Sequence, residues 1–249
     1  MKYTVLTLFP EITDAFFVNS IMAKAIKRGI IEYQPINIRD FAVDKHKTCD
    51  DAPYGGGPGM LMLAEPLSLA INAVLGEDLH KGRRVVYLSP SGRPFNQELA
   101  RELAGEKELI LICGRYEGID QRIIDRYVDD EISVGDYILS SGEVAALAII
   151  DATYRLVDSV ICAQSLDEES FSGCLLEYPQ FTRPEVFDTM KVPEVLLSGH
   201  HEQIRLWRLE KRVEKTLLQR PDLIQRGKEL GLFNKEINGI IDRLITDKY

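Results

Sequence analysis

The stretch Leu109–Glu143, LILICGRYEGIDQRIIDRYVDDEISVGDYILSSGE, constrains the fold of this chain more than any other. It opens with an apolar run, Leu109–Cys113, too short for an ordinary helix and rich in β-compatible residues, which predicts a strand buried on both faces. The run stops at Gly114-Arg115-Tyr116-Glu117-Gly118, and Ile119, Ile123, Ile124 and Tyr127 follow at helical spacing. A second predicted strand, 131–134, ends at Gly135-Asp136, and another apolar helix follows Ser140-Ser141-Gly142. Two strands thus each run into a glycine-containing loop and then a helix. In open α/β sheets, ligands bind in the crevice beyond the carboxyl ends of the strands.

The flanking sequence extends this pattern. A first strand is predicted over 3–9, then a helix carrying Phe16, Phe17, Ile21 and Ala25, with Thr13 as its N-cap and Gly29 beyond its C-terminus. Strands over 30–38 and 85–88 and helices over 61–75 and 96–104 follow. Such alternation means a parallel sheet with right-handed crossovers. The interval 39–60 has no periodicity and contains Pro53-Tyr54-Gly55-Gly56-Gly57-Pro58-Gly59; loops this long in compact domains are usually functional or disordered. After a helix over 143–156 the pattern changes. Residues 157–173 lack a period and include Asp167-Glu168-Glu169, and the chain is helical and polar from His201 onward. The expected organisation is an α/β parallel-sheet domain over 1–160, a flexible linker over 161–174 and a small helical domain over 175–249.

Charge and cysteine content narrow the functional classes. With 249 residues a large core is within reach, and no apolar run approaches the ~20 residues of a membrane span. The N-terminus reads as a strand and not as a leader, so a cytoplasmic protein without membrane association is expected. The four cysteines are far apart and the only histidine cluster is His200-His201, a poor basis for structural zinc or disulfides. A net charge of −9 argues against non-specific nucleic-acid binding. It is uneven, however: residues 199–228 hold eight Lys/Arg against four Asp/Glu. Arg205, Arg208, Arg212 and Lys215 share one face of the predicted helix, with Trp207 beside them. That stripe reads either as a solvated face or as a phosphate-backbone surface.

Three loops after strands would line one rim: 88–94, 113–118 and 134–142. Glycines can simply terminate strands, but three such loops together favour close backbone approach to a ligand. No GxGxxG follows a strand and no GxxxxGK[ST] occurs, which disfavours NAD and ATP phosphate cradles. Arg155, late in a helix, has an ordinary reading as a cation favoured by the helix dipole. The acids 167–169 have one as a solvated cluster.

Taken together, YLSPSGRPFNQ, CGRYEGIDQR, EISVGDYILSSGE and YPQFTRPE closely resemble the bacterial tRNA (guanine-N1)-methyltransferase family, among the trefoil-knotted SPOUT methyltransferases. PYGGGPGM and the late IRLWR and RPDLI segments extend the resemblance over essentially the whole chain. It implies a SPOUT domain with a deep trefoil knot, an exception to the rule that chains do not thread. It further implies S-adenosylmethionine held in the knot and an active site at a homodimer interface. The product would be the N1-methylated guanosine at position 37 of tRNA, where another guanosine precedes it, with the anticodon stem-loop bound by the helical domain.

Matched motif by motif, the cofactor contacts implied are Tyr87, Leu88, Ser89 and Pro90 from the first loop and Gly114, Tyr116, Glu117 and Gly118 from the second. From the third they are Ser133, Val134, Gly135, Asp136, Tyr137, Ile138, Leu139, Ser140 and Gly142. Guanine N1 carries a proton and attacks only when that proton leaves, while charge developing toward O6 must be stabilised. The resemblance gives the latter role to Arg155. It gives the base to the residue before Ser-Phe, here Glu169 where the family has aspartate, with Asp167 and Glu168 as rivals. The family reaction is linked to magnesium, for which no diagnostic ligand set is visible.

Other departures are Ser141 and Val144-Ala145, where the family usually has Gly and Leu-Pro, and Cys174, where a glycine normally precedes Leu-Leu. Two alternatives stand beside the methyltransferase: a non-catalytic RNA-binding knot protein, and a carboxylate-pair hydrolase using Glu117 and Asp120.

Overall fold

The computed structural model describes residues 1–76, 82–162 and 169–246, which form two compact units, Met1–Ile161 and Cys162–Tyr249. Among the described residues, the first unit is built on five parallel strands: β1 (Lys2–Thr7), β2 (Glu32–Asn37), β5 (Arg83–Pro94), β6 (Glu108–Ile112) and β7 (Asp130–Ser133). Their order across the sheet is β2-β1-β6-β5-β7. Two-residue strands β3 (Asp50–Asp51) and β4 (Leu61–Met62) pair antiparallel beside it.

The apolar run that opens the central stretch becomes β6, buried at every position. Successive strand residues point to opposite faces, and the packing follows. Leu109 and Leu111 enter one core with Tyr3, Val5, Phe17, Met22, Leu103, Ile149 and Ile150. Ile110 and Ile112 enter the other with Leu67, Ile71, Leu75 and Ile123. The first face is therefore covered by α1 (Pro10–Phe17), α2 (Ser20–Lys27), α4 (Gln97–Ala104) and α6 (Gly142–Tyr154). The second is covered by α3 (Ala64–Leu75) and α5 (Gln121–Tyr127).

Several local expectations are corrected. The single predicted helix around Phe16–Ala25 is two, because the chain breaks at Val18-Asn19 and Ser20 takes a positive φ of 56°. Thr13 is not an N-cap: α1 starts at Pro10, and the buried Thr13 hydroxyl bonds Pro10 O and the Tyr33 hydroxyl instead. Gly29 does follow α2 at φ 69°, its N–H donating to Ile26 O. Strand β5 runs on past Leu88. Its first part pairs with β7 up to Leu88–Ile132, then residues 89–92 loop out, and Arg93 returns to pair with the same Ile132.

The second unit is helical: α7 (Glu194–Leu197), α8 (His201–Gln219), α9 (Pro221–Glu229) and α10 (Lys235–Thr246), preceded by a hairpin of β8 (Val186–Phe187) and β9 (Met190–Lys191). Leu209, Val213 and Leu217 of α8 meet Leu175, Ile224, Phe233 and Ile241 in its core. Among the described residues, no helix is long and apolar enough to cross a membrane.

Candidate active site

Strands β6, β5 and β7 are neighbours in the sheet, so the loops leaving their carboxyl ends converge. Between them lies a cavity of about 280 Å³, at the lower end of the ~300–1,000 Å³ usual for small-molecule sites. Every cofactor residue expected from the sequence lines it except Asp136. The segment 133–137 forms a tight turn in which Tyr137 N–H donates to Gly135 O at 2.9 Å. Such a three-residue turn leaves its central residue, Asp136, exposed.

The glycines of this site are there for clearance. A Cβ at Gly142 would lie 2.8 Å from Cys113 Cα and 2.9 Å from Gly114 N, because the start of α6 presses on the end of β6. Gly142 N–H donates to Gly114 O at 2.9 Å across that contact. Gly114 faces the Tyr87 ring, which its Cβ would meet at 2.9 Å. Tyr116 holds φ 58°, a left-handed conformation uncommon for a non-glycine residue and frequent at ligand sites. Burial pushes the Tyr87 hydroxyl pKa up, partly offset by the Ile119 amide that donates to it. The Cys113 thiol, fully buried beneath the second loop, is pushed up by burial and by nearby Glu143. Neither group is poised to ionise near neutral pH.

The sequence reading missed part of this site. Arg115, Ile132, Ser141 and Ala145 also line the cavity, and their position inside or beside the three loops was the available signal. Ser141 caps α6 with extended backbone, φ −166°, which any residue adopts. Its departure from the family glycine is therefore harmless to the chain path. The glycine-rich loop reaches the rim as well: Met60 O accepts from Glu117 N–H at 3.0 Å, and a Cβ on Gly59 would strike the Glu117 side chain. Asp120, by contrast, is committed elsewhere. It caps α5 through Arg122 N–H and pairs with the Arg122 guanidinium, which lowers its pKa. A Glu117–Asp120 hydrolytic pair is thereby disfavoured.

Arg155 closes α6 at its C-terminus, half-buried, and is not part of the cavity lining. Glu169 belongs to the second unit. The rival acids Asp167 and Glu168 lie outside the described residues, as does the rest of 163–168. Beyond Glu169 the chain forms a knuckle in which Phe171, Gly173 and Cys174 all have positive φ. Cys174 (φ 59°) thus stands in a conformation that suits the family's glycine better. The knuckle is tied to α8. Arg212 donates to Ser172 O and Leu176 O, and the buried Thr216 hydroxyl accepts from Leu176 N–H at 2.9 Å. Thr216→Val should cost about 1–3 kcal/mol, since it strands a buried amide without an acceptor. A lowered urea midpoint for Thr216→Val, and a near-normal one for Thr216→Ser, is the expected result.

The cations of the basic stripe are partly engaged within this unit. Arg205 forms paired bonds with Glu202 and Glu236. Arg208 stacks on Tyr178 at 4.8 Å, and Arg212 is spent on the two carbonyls above. Among the described residues, no group of three or more His, Cys, Asp or Glu is placed to hold a metal ion.

Comparison with known proteins gives a consistent result. A family model described as tRNA (Guanine-1)-methyltransferase TrmD matches residues 1–226. A Treponema denticola protein named tRNA (guanine-N(1)-)-methyltransferase is 63% identical over 241 residues, covering 97% of this chain and 98% of that protein. Proteins of the same name from Treponema pallidum and Borreliella burgdorferi are 56% and 57% identical, covering 98% and 92% of this chain and 96% and 95% of their own lengths. With matches of this length over both the three-loop unit and most of the helical one, the chain belongs to the tRNA (guanine-1)-methyltransferase family.

Proposed function

We propose that the protein transfers the methyl group of S-adenosylmethionine to N1 of guanosine 37 in tRNA, beside the anticodon, in the cytoplasm. The observation that carries this reading is the cavity at the ends of β5, β6 and β7, whose lining mixes glycines and apolar residues with serines and tyrosines and includes two charged residues, Arg115 and Glu117. It suits a ligand without phosphates: the loops supply amides and carbonyls for an adenosine and an amino-acid group, and few fixed charges. When bound, the cofactor supplies an electrophilic methyl group.

The chain's own residues supply the rest. Glu169 takes the N1 proton, and Arg155 offsets the charge that develops toward O6, so the ring nitrogen becomes a competent nucleophile. Homodimerisation is part of this reading. Ile138 and Val144, 82% and 54% exposed on the third loop and on α6, provide apolar surface for a second copy. The trefoil knot is part of it too, supported by the return of β5 onto Ile132 and the pressing of α6 onto the end of β6. The helical unit would hold the anticodon stem-loop by its phosphates, through basic side chains of α8 such as Lys215. Among the described residues no ligand set for magnesium is assembled, and no step is routed through one.

The test is incubation of the purified protein with methyl-labelled S-adenosylmethionine and unmodified tRNA, followed by nucleoside analysis. Label in 1-methylguanosine is expected. Label absent from tRNA, or present in another nucleoside, would overturn the reading; the non-catalytic RNA-binding alternative would give binding without label.

A further inference from the structure

A closed ring of four residues lies behind the second loop. Glu143, the second residue of α6, is completely buried. Its Oε1 accepts from the Thr7 hydroxyl at 2.5 Å and lies 3.7 Å from Arg115 Nε. The Arg115 guanidinium sits 4.1 Å over the Phe9 ring, and Phe9 N–H donates back to the Thr7 hydroxyl at 2.9 Å. The ring therefore joins the end of β1, the start of α6 and the cavity loop 114–118. The backbone runs parallel to it, with Arg115 and Ser141 forming an isolated β-bridge.

A fully buried carboxylate is expensive unless paired and hydrogen-bonded. Here one oxygen, Oε2, has no hydrogen-bond partner, and neither does Arg115 Nε. A position serving stability alone would be better filled by an apolar side chain. The arrangement fits a loop that must be held at one height above β6 while its own residues face a ligand. We propose that Glu143 is a positioning residue: through Arg115 it fixes the loop Gly114–Gly118 in the geometry that receives the cofactor. This rests on the reading that the cavity binds S-adenosylmethionine.

The test compares wild type, Glu143→Gln and Thr7→Val by amide hydrogen exchange without ligand and by calorimetric titration with S-adenosylmethionine. Glu143→Gln keeps the shape and loses the charge that draws Arg115; Thr7→Val keeps the shape and loses the hydroxyl. Faster exchange confined to the peptide spanning 114–119 is expected, with β1 and β6 unchanged. The Kd for S-adenosylmethionine should rise about tenfold, the scale of one lost polar interaction. In steady state the loss should appear in KM for the cofactor and not in KM for tRNA, and Thr7→Ser should restore wild-type values.

An unchanged Kd overturns the proposal, as does exchange that rises evenly over the whole unit, which would mark a purely structural role. If Glu143→Gln does not fold, Thr7→Val against Thr7→Ser decides by the same readouts. Failure of wild type to bind S-adenosylmethionine would overturn the cavity reading and this proposal with it. Normal wild-type binding with indifferent variants would overturn this proposal alone.

Discussion

Glu169→Gln should lower single-turnover methyl transfer by about 10²- to 10⁴-fold, the range for loss of a general base, while leaving the affinity for S-adenosylmethionine near that of wild type. The amide keeps the size of the side chain and removes its ability to take the guanine N1 proton. Affinity is spared because Glu169 is not among the residues lining the cavity. The family's aspartate is one methylene shorter, so Glu169→Asp should retain much of the activity. The comparison that matters is with Asp167→Asn and Glu168→Gln. If one of those abolishes turnover while Glu169→Gln remains active, the base is misassigned, though the cavity and its cofactor are unaffected.

Gly142→Ala is the second large effect expected, and it arises differently. The added methyl would sit 2.8 Å from Cys113 Cα and 2.9 Å from Gly114 N. Both are backbone atoms, one in the chain leaving β6 and one in the loop 114–118, so no flexible side chain can yield. Forcing a methylene into such packing costs about 1–3 kcal/mol, and relief by moving Gly114 would deform the cavity. A lowered thermal midpoint together with at least tenfold weaker S-adenosylmethionine binding is expected. A variant that binds normally would show that α6 can shift without disturbing the loop. Ser141→Gly should do little by comparison, because its extended backbone makes no demand that only glycine meets.

How much of this was legible depends on how local the cause was. The buried run of β6 and the loops after β6 and β7 could be read from apolar runs broken by glycine, because each is written within a few residues. The adjacency of β6, β5 and β7, which turns three loops into one cavity, follows from the sheet order and from no single segment. The return of Arg93 onto Ile132 was invisible for a related reason: one short strand serves two stretches of β5, and nothing in SPSGRP marks its partner. Thr13 was misread because a threonine at a helix start serves equally as cap or as buried donor, and Tyr33, twenty residues on, decided which.

Charge was the least legible property. Of the apolar face Leu206, Leu209, Val213 and Leu217 that helical periodicity gives α8, Val213 is buried and Leu209 and Leu217 pack on the core, while Leu206 is exposed. The same periodicity presented Arg205 and Arg212 as free cations. Glu202, one partner of Arg205, lies a single turn away, but Glu236 and the carbonyls of Ser172 and Leu176 lie about thirty to forty residues away in the chain. Likewise nothing in the sequence around Glu143 marks it as enclosed. Only its contact with Thr7, 136 residues earlier, shows that it is enclosed.

The most direct test of the proposed activity is methyl transfer to two tRNA transcripts that differ only in whether the guanosine at position 37 follows a guanosine. Incorporation into the first and little into the second is expected. No incorporation into either would contradict the methyltransferase reading, and equal incorporation into both would contradict the specificity proposed for it.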